Sequence, residues 1–299
     1  WKKKCTLTFK PIDGGSDGGE EIGGETADTS RVLIISALEG DTIEMPECTF
    51  EAPENVTENG TEYYFKFVGW EDENGTVYGA GDYYVVEGDM TFTAKYNKIS
   101  LWDGSTADSF ASGYGDQETP YIIETAAELR KLAEDVANGQ SYAGVFFELG
   151  ADIDLSGNSW QPIGLYVAND PHPFSGYFNG SGHTVSNFVV DQTAQSLNSF
   201  AVGLFGYVKN TDGLSDSITD LNVEEGKIDF KAVDWITSYV STAYAGLVAG
   251  YVEGNISNCT ASGTVSMEPV GRSSNGTQSV NTGYVGGIVG YAANGTIAS

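Results

Sequence analysis

The chain has little of what metal, nucleophilic and nucleic-acid chemistry require: two histidines, three cysteines, and 14 lysines and arginines among 299 residues. A zinc site or a histidine-based triad would need His172 or His183, and neither has a convincing partner nearby in sequence. His172 lies between two prolines, and His183 sits in Gly182-His183-Thr184. There is no HExxH helix, nucleophile elbow or phosphate-binding glycine loop. Three cysteines do not make a disulfide framework. Cys5 and Cys48 could meet in a disulfide if their two strands pair as a hairpin. No apolar run approaches the length of a membrane span, and Trp1-Lys2-Lys3-Lys4 does not form a signal peptide, so any export signal or wall anchor is expected outside this chain.

Cations are scarce relative to acids. Against 42 aspartates and glutamates they leave a formal net charge of −28, which argues against a nucleic-acid partner, since such partners select basic stripes. In residues 99–299 the only cations are Arg130, Lys131, Lys209, Lys227, Lys231 and Arg272. The acidity reads as solubility and mutual repulsion on a crowded surface.

What the chain does have is glycine, tyrosine and a repeat. Gly203-Leu204-Phe205-Gly206-Tyr207, Gly246-Leu247-Val248-Ala249-Gly250-Tyr251 and Gly287-Ile288-Val289-Gly290-Tyr291 recur with a period of about 40 residues, in the range of stacked-repeat architectures. Behind the phrases, Val185-Ser186-Asn187-Phe188, Ile218-Thr219-Asp220-Leu221 and Ile256-Ser257-Asn258-Cys259 align in one register, and Ile297-Ala298-Ser299 begins a fourth copy. The register sends Val185, Ile218 and Ile256 inward, followed at strand spacing by Phe188 and Val190, Leu221 and Val223, Cys259 and Ala261. Cys259 therefore reads as a buried thiol. Asn187, Asp220 and Asn258 suit a sharp bend between short strands, because Asn and Asp tolerate left-handed backbone angles. Strand, bend, strand and turn, repeated, predict a parallel β-helix (β-solenoid) with continuous apolar stacks inside. Residues 229–243 and 268–283 are expected to bulge out as loops.

An open end of such a stack needs a cover. Residues 125–138 predict a capping α-helix: Thr125 as N-cap, Glu128 completing a capping box, Leu129, Leu132, Ala133 and Val136 at helical spacing, and Gly139 as the stop. Ser299 falls inside a further copy with no capping signal, so the chain is expected to be a piece of a longer protein.

The three glycine-tyrosine phrases resemble the GLUG motif of bacterial cell-surface proteins, found in adhesins and in non-catalytic parts of some immunoglobulin-A-cleaving peptidases. Ala151-Asp152-Ile153-Asp154-Leu155, Trp160-Gln161-Pro162-Ile163-Gly164 and Pro173-Phe174-Ser175-Gly176-Tyr177-Phe178-Asn179-Gly180-Ser181-Gly182-His183-Thr184-Val185 are similar to the segment that opens such stacks. The resemblance covers residues 101–299. It implies an extracellular surface location and a scaffold rather than an activity.

Residues 1–98 differ, with clear two-residue alternation and no glycine-tyrosine phrase. Cys5–Phe9, Val32–Ile35, Tyr63–Trp70, Asp82–Val86 and Met90–Tyr96 read as strands between Gly, Asn and Asp turns. Phe67-Val68-Gly69-Trp70, Gly79-Ala80-Gly81-Asp82 and Met90-Thr91-Phe92-Thr93-Ala94-Lys95-Tyr96 resemble the β-grasp B-repeat of internalins and similar wall-associated proteins of Gram-positive bacteria. That resemblance implies an extracellular spacer or contact module. Residues 13–30, rich in Gly, Asp and Glu, read as an acidic insertion. The expected organisation is a β-grasp-like module over 1–98 and a mostly β, repeat-built domain over 99–299.

Two groups of residues could carry chemistry or contact. Asp152 and Asp154 would share one face of a strand, and paired acids can serve glycoside hydrolysis or bind calcium; the alternative is the solvated side of a scaffold strand. Tyr207, Tyr251 and Tyr291 recur with the repeat and are expected to stack within it, whereas Trp235, Tyr239 and Tyr244, in or beside the first long loop, are better placed to contact a partner. The sequence thus favours a non-enzymatic adhesion or display module that binds a surface protein or glycan of a host or neighbouring cell through its loops, without a cofactor or metal. A carbohydrate-active β-helix enzyme and the accessory region of a large surface peptidase are the alternatives.

Overall fold

The computed structural model describes residues 2–12, 32–58, 61–166, 170–191, 201–210, 216–233, 242–270 and 282–298. The chain divides into two compact units, Trp1–Leu101 and Trp102–Ser299. Among the described residues both are built mostly of strands, with one α-helix, in the second unit.

In the first unit, Lys4–Lys10 pairs antiparallel with Leu33–Leu38 and parallel with Met90–Ser100. Met90–Ser100 in turn pairs antiparallel with Thr61–Glu71, which also carries Val56–Glu58 and Val77–Tyr78. A separate pair joins Thr42–Glu44 to Tyr83–Val85. Alternation does what the strand period requires: Cys5, Leu7 and Phe9 are buried, with Lys4 and Thr6 outside. The core centres on Phe9, stacked on Phe92 and edge-on to Trp70, whose indole N–H donates to the Pro46 carbonyl at 2.7 Å. Gly69 sits at a register shift with φ of 152°, where a Cβ would stand 2.5 Å from the Tyr78 carbonyl oxygen, so only glycine fits. Thr42–Glu44 pairs with Tyr83–Val85 and not with the first strand, so the hairpin that could have brought Cys5 and Cys48 together does not form. Both thiols are free.

The second unit is assembled from parallel pairs between successive sequence repeats. One sheet runs Tyr121–Ile123, Phe146–Leu149, Tyr177–Asn179, Ile218–Thr219, Ile256–Ser257, Ile297–Ala298. A second pairs Ile153–Asp154 with Thr184–Ser186. The long strand Asn222–Val233 takes Thr184–Ser186 along its first half, Val189–Asp191 along its second, and Thr260–Val270 on its other side. The glycine-tyrosine phrases form two further parallel sheets: Phe205–Lys209, Ala249–Glu253 and Val289–Ala292, and Ala201–Val202, Thr242–Gly246 and Thr282–Gly286. Phe147, Phe178, Phe188, Phe205, Val208 and Ile218 lie in one continuous buried core between these sheets.

The helix spans Ala126–Ala137 and has the expected cap. Thr125 Oγ1 accepts from the Glu128 backbone N–H at 3.3 Å, and Glu128 Oε2 accepts from the Thr125 N–H at 3.0 Å. Leu129, Leu132, Ala133 and Val136 are fully buried in the same core as Ile123 and Phe147, and Gly139 takes φ of 98° just past the end.

Three sequence expectations need correction. Val185, Ile218 and Ile256 are all buried, but they do not form one stack: Ile218 pairs with Ile256 and Phe178, while Val185 pairs with Ile153 and Val223. The bends therefore belong to two corners. Asp220 (φ 51°) and Asn258 (φ 49°) share one; Asn187 (φ 59°) shares the other with Glu225 (φ 52°), where two residues of Asn222–Val233 face one of Thr260–Val270. Where loops were expected from 229 and 268, strand pairing continues to Val233 and Val270 and resumes at Thr242 and Thr282.

Candidate functional site

The glycine-tyrosine phrases place a tyrosine at the same point of successive parallel strands, because Tyr207 pairs with Tyr251 and Tyr251 with Tyr291. The neighbouring sheet adds Tyr244 opposite Tyr284. Lateral neighbours in a sheet are one strand spacing apart, about 4.8 Å, so equivalent rings are brought to stacking distance by the backbone alone. Tyr251 and Tyr291 stack with centroids 5.5 Å apart and planes 20° apart, and Tyr244 and Tyr284 at 5.5 Å and 16°. The two columns touch edge to face, Tyr244 against Tyr251 at 4.8 Å and Tyr284 against Tyr291 at 5.1 Å.

A sixth ring comes from outside the phrases. Ile163 bridges in parallel to Phe205, and Leu165 and His172 exchange backbone hydrogen bonds, which fixes the segment bearing Tyr166. Tyr166 stacks on Tyr251 at 4.7 Å and meets Tyr207 and Tyr244 edge-on. Gly164, at φ of 84°, lets this segment lie against the neighbouring strand: a Cβ there would stand 2.2 Å from the Tyr207 carbonyl oxygen.

The polar edge of the cluster is ordered. Tyr207 donates its hydroxyl to Glu253 Oε1 at 2.7 Å, and Lys209 Nζ lies 3.3 Å from Glu253 Oε2. Burial, then the hydrogen bond to Glu253, pushes the Tyr207 phenol well above its ordinary range. Burial, then the neighbouring rings and Glu253, pushes Tyr251 up to about 12, and burial raises Tyr244 as well. At neutral pH these phenols are hydroxyl donors and not bases. Tyr207 is nearly enclosed, Tyr166, Tyr244 and Tyr251 are half-buried, and Tyr284 and Tyr291 are 41% and 38% exposed. The arrangement offers contact chemistry: half-buried aromatic rings, their hydroxyls, and one fixed carboxylate beside an ammonium group.

Of the stacking expected of Tyr207, Tyr251 and Tyr291, only the Tyr251–Tyr291 contact is face to face, whereas Tyr207 meets Tyr251 edge-on at 5.5 Å and 73°; two members of the cluster, Tyr166 and Tyr284, were not singled out by the sequence. Tyr166 follows Gly164-Leu165, a fragment of the repeat phrase, and that was the available signal. Tyr244 was expected at a loop and sits in a strand, inside the cluster. Trp235 and Tyr239 lie outside the described residues.

Asp152 and Asp154 are tied into corners. Asp152 Oδ1 accepts from the Thr184 N–H at 2.9 Å and lies 3.2 Å from His183 Nδ1. Asp154 accepts from the Ser156 N–H and hydroxyl and from Asn187 Nδ2 at 3.0 Å. Only Asp154 belongs to the strand Ile153–Asp154; Asp152 precedes it. His172 Nδ1 lies 2.5 Å from the Ala137 carbonyl at the helix C-terminus. Among the described residues no group of three or more His, Cys, Asp or Glu side chains could hold a metal ion, and no helix is long and apolar enough to cross a membrane. Burial raises the Cys259 thiol.

Residues 241–266, which include Tyr244 and Tyr251, match the GLUG motif. The chain is 30% identical over 188 residues to halomucin of Haloquadratum walsbyi, a match covering 58% of this chain and 2% of that protein. It is 31% identical over 171 residues to a provisionally named Gly-rich membrane protein of Evansella cellulosilytica, covering 55% of this chain and 17% of that one. The matched regions are thus small parts of much longer proteins. Among solved structures, a provisionally assigned immunoglobulin A1 protease of Bacteroides ovatus aligns at 20% identity and a TM-score of 0.38, over 63% of this chain and 58% of that one.

Proposed function

We propose that this chain is an extracellular, surface-borne module that adheres to host protein or glycan without catalysis. In this reading a β-grasp-like spacer, supported by the parallel pairing of its first and last strands, precedes a parallel β-solenoid, supported by the in-register pairing of successive repeats. The observation that carries the proposal is the tyrosine cluster. It is a recurrent, partly open aromatic surface whose phenols are held protonated, and aromatic surfaces with polar rims suit recognition. The GLUG motif and the name of the Evansella relative support a place at the cell surface. The corner hydrogen bonds of Asp152 and Asp154 support a scaffolding role for both.

The test measures binding and turnover together. The purified chain is applied to arrays of surface proteins and glycans and incubated with plant and mucin polysaccharides while sugar release is followed. Binding without release is expected. Release that disappears in an Asp152→Asn/Asp154→Asn double variant would overturn the non-enzymatic reading in favour of a carbohydrate-active enzyme.

A further inference from the structure

We infer that the edge strand Leu33–Leu38 of the first unit is an assembly site whose occupant is the same strand of a second copy, paired antiparallel about Ile35. The inference goes beyond the adhesion reading and does not depend on it. Leu33–Leu38 pairs on one side only, with Lys4–Lys10. The Glu39 N–H donates to the Lys3 carbonyl, which sets the alternation along that ladder. Leu33, Ile35 and Ala37 turn their backbone groups toward Lys4–Lys10, and Ile34 and Ser36 turn theirs away from it. Among the described residues nothing bonds these outward groups. At Leu38 the outward groups are closed, since its N–H donates to Asp41 Oδ2 and its carbonyl accepts from the Asp41 N–H.

The side chains also leave this strand uncovered. On Lys4–Lys10 the outer face is polar, with Lys4, Thr6 and Thr8, as a solvated sheet face should be. In register beside them stand Leu38, Ser36 and Ile34, and Val32, Ile34 and Leu38 are 44%, 58% and 41% exposed. Leu33, Ile35 and Ala37 pack on the core from the other face. The strand is therefore apolar on both faces, the pattern of a strand covered on both. It also has no proline, lysine or register shift of the kind that keeps sheet edges apart.

Two features select a second copy. The free positions complement each other: an antiparallel copy about Ile35 sets Ile34 opposite Ser36 of the second copy and Ser36 opposite Ile34. Each outward N–H then meets a carbonyl, and Val32 lies against Leu38 on the outer face. The charges agree. At −28 two copies repel over most of their surface, but Val32–Leu38 carries no charge, and at its far end Lys3 and Lys4 lie beside Glu39, and Lys2 pairs with Asp41. In the sequence Arg31 and Glu39 bracket the run at equal distance from Ile35, a pattern that is charge-complementary to itself when read antiparallel. One strand pair buries little surface, so the dimer is weak and forms at high concentration.

The experiment follows the full chain by sedimentation over a concentration series and measures amide hydrogen exchange at both ends of that series. A monomer–dimer equilibrium is expected. Exchange at Ile34 and Ser36 should slow as concentration rises, while Leu33, Ile35 and Ala37 stay protected throughout. Ile34→Lys should raise the dissociation constant by about tenfold or more, and Ser36→Pro, which removes an outward N–H and none that faces Lys4–Lys10, should do likewise. The exchange readout uses the unaltered protein, so it stands even if a variant fails to fold. A chain that stays monomeric at its highest soluble concentration, a dimer indifferent to both substitutions, or exchange at Ile34 and Ser36 that ignores concentration would each overturn the inference. A monomeric chain that captures a surface protein on the arrays, with capture lost in Ile34→Lys, would give the edge to that protein and overturn the second-copy assignment while supporting the adhesion reading. Dimerisation without any capture on the arrays would support the inference and count against the adhesion reading alone.

Discussion

Replacing Gly250 by alanine tests whether the glycine-tyrosine phrases are required by close backbone approach. An added Cβ at Gly250 would stand 2.5 Å from the Val202 backbone nitrogen and 2.9 Å from the Val202 oxygen and the Ala201 carbonyl carbon. Comfortable heavy-atom contact needs about 3.5 Å, so the Ala201–Val202 strand must retreat by roughly 1 Å, and backbone held in a parallel sheet does not do so freely. Overpacking of this kind costs about 1–3 kcal/mol, offset by about 0.4–1 kcal/mol from the stiffer unfolded chain, for a net loss of roughly 1–2 kcal/mol. For a unit of this size that lowers the melting midpoint by about 2–8 °C. Gly287, in the next copy of the phrase, is the matched control. Nothing lies within 4 Å of a Cβ there, and its φ is outside the left-handed region, so Gly287→Ala should be neutral or raise the midpoint by a few degrees. Thermal and urea unfolding followed by near-ultraviolet circular dichroism would measure both. Equal midpoints for the two variants would refute the argument that interstrand contact, and not turn geometry, fixes these glycines.

Removing the N-cap hydroxyl with Thr125→Ala should cost about 1 kcal/mol in urea unfolding of the second unit, because the Glu128 N–H loses its acceptor; an unchanged midpoint would mean that the Thr125 hydroxyl contributes nothing to the cap. The tyrosine cluster should make the fold alkali-sensitive. The folded phenols ionise above the ordinary value near 10, so their contribution to stability is complete below that pH and is lost as pH rises, for Tyr251 toward about 12. A spectrophotometric titration should show late ionisation coinciding with unfolding, and titration of every tyrosine near pH 10 in a folded protein would contradict it. Of the three thiols, Cys5 and Cys259 are buried and Cys48 is half-buried against Tyr96, so a thiol reagent should modify Cys48 first and the other two only on unfolding.

The parts legible in the sequence were those whose residue types leave one physical choice. The helix could be read because Thr125, Glu128 and Gly139 mark its ends and Leu129, Leu132 and Val136 its buried face. The lateral alignment of Tyr207, Tyr251 and Tyr291 followed from a phrase repeated at fixed spacing. The corners were only half legible: Asn187, Asp220 and Asn258 do take left-handed angles, but one residue type serves two corners, and the true counterpart of Asn187 is Glu225, which no turn preference marks. The alignment of Val185 with Ile218 failed for that reason, since a strand-bend-strand pattern reads alike from either corner. Tyr166 was hidden because it reaches the cluster from a segment outside the repeat, held by the Ile163–Phe205 bridge and the pairing of Leu165 with His172.

Because each copy of the phrase contributes its own rings at a spacing set by the sheet, the aromatic surface behaves as a ruler. Gaining or losing one copy changes the length of that ruler by one pair of rings and leaves the chemistry of each ring contact untouched. The extent of the aromatic surface is therefore set by the number of copies and not by the residues within any one of them.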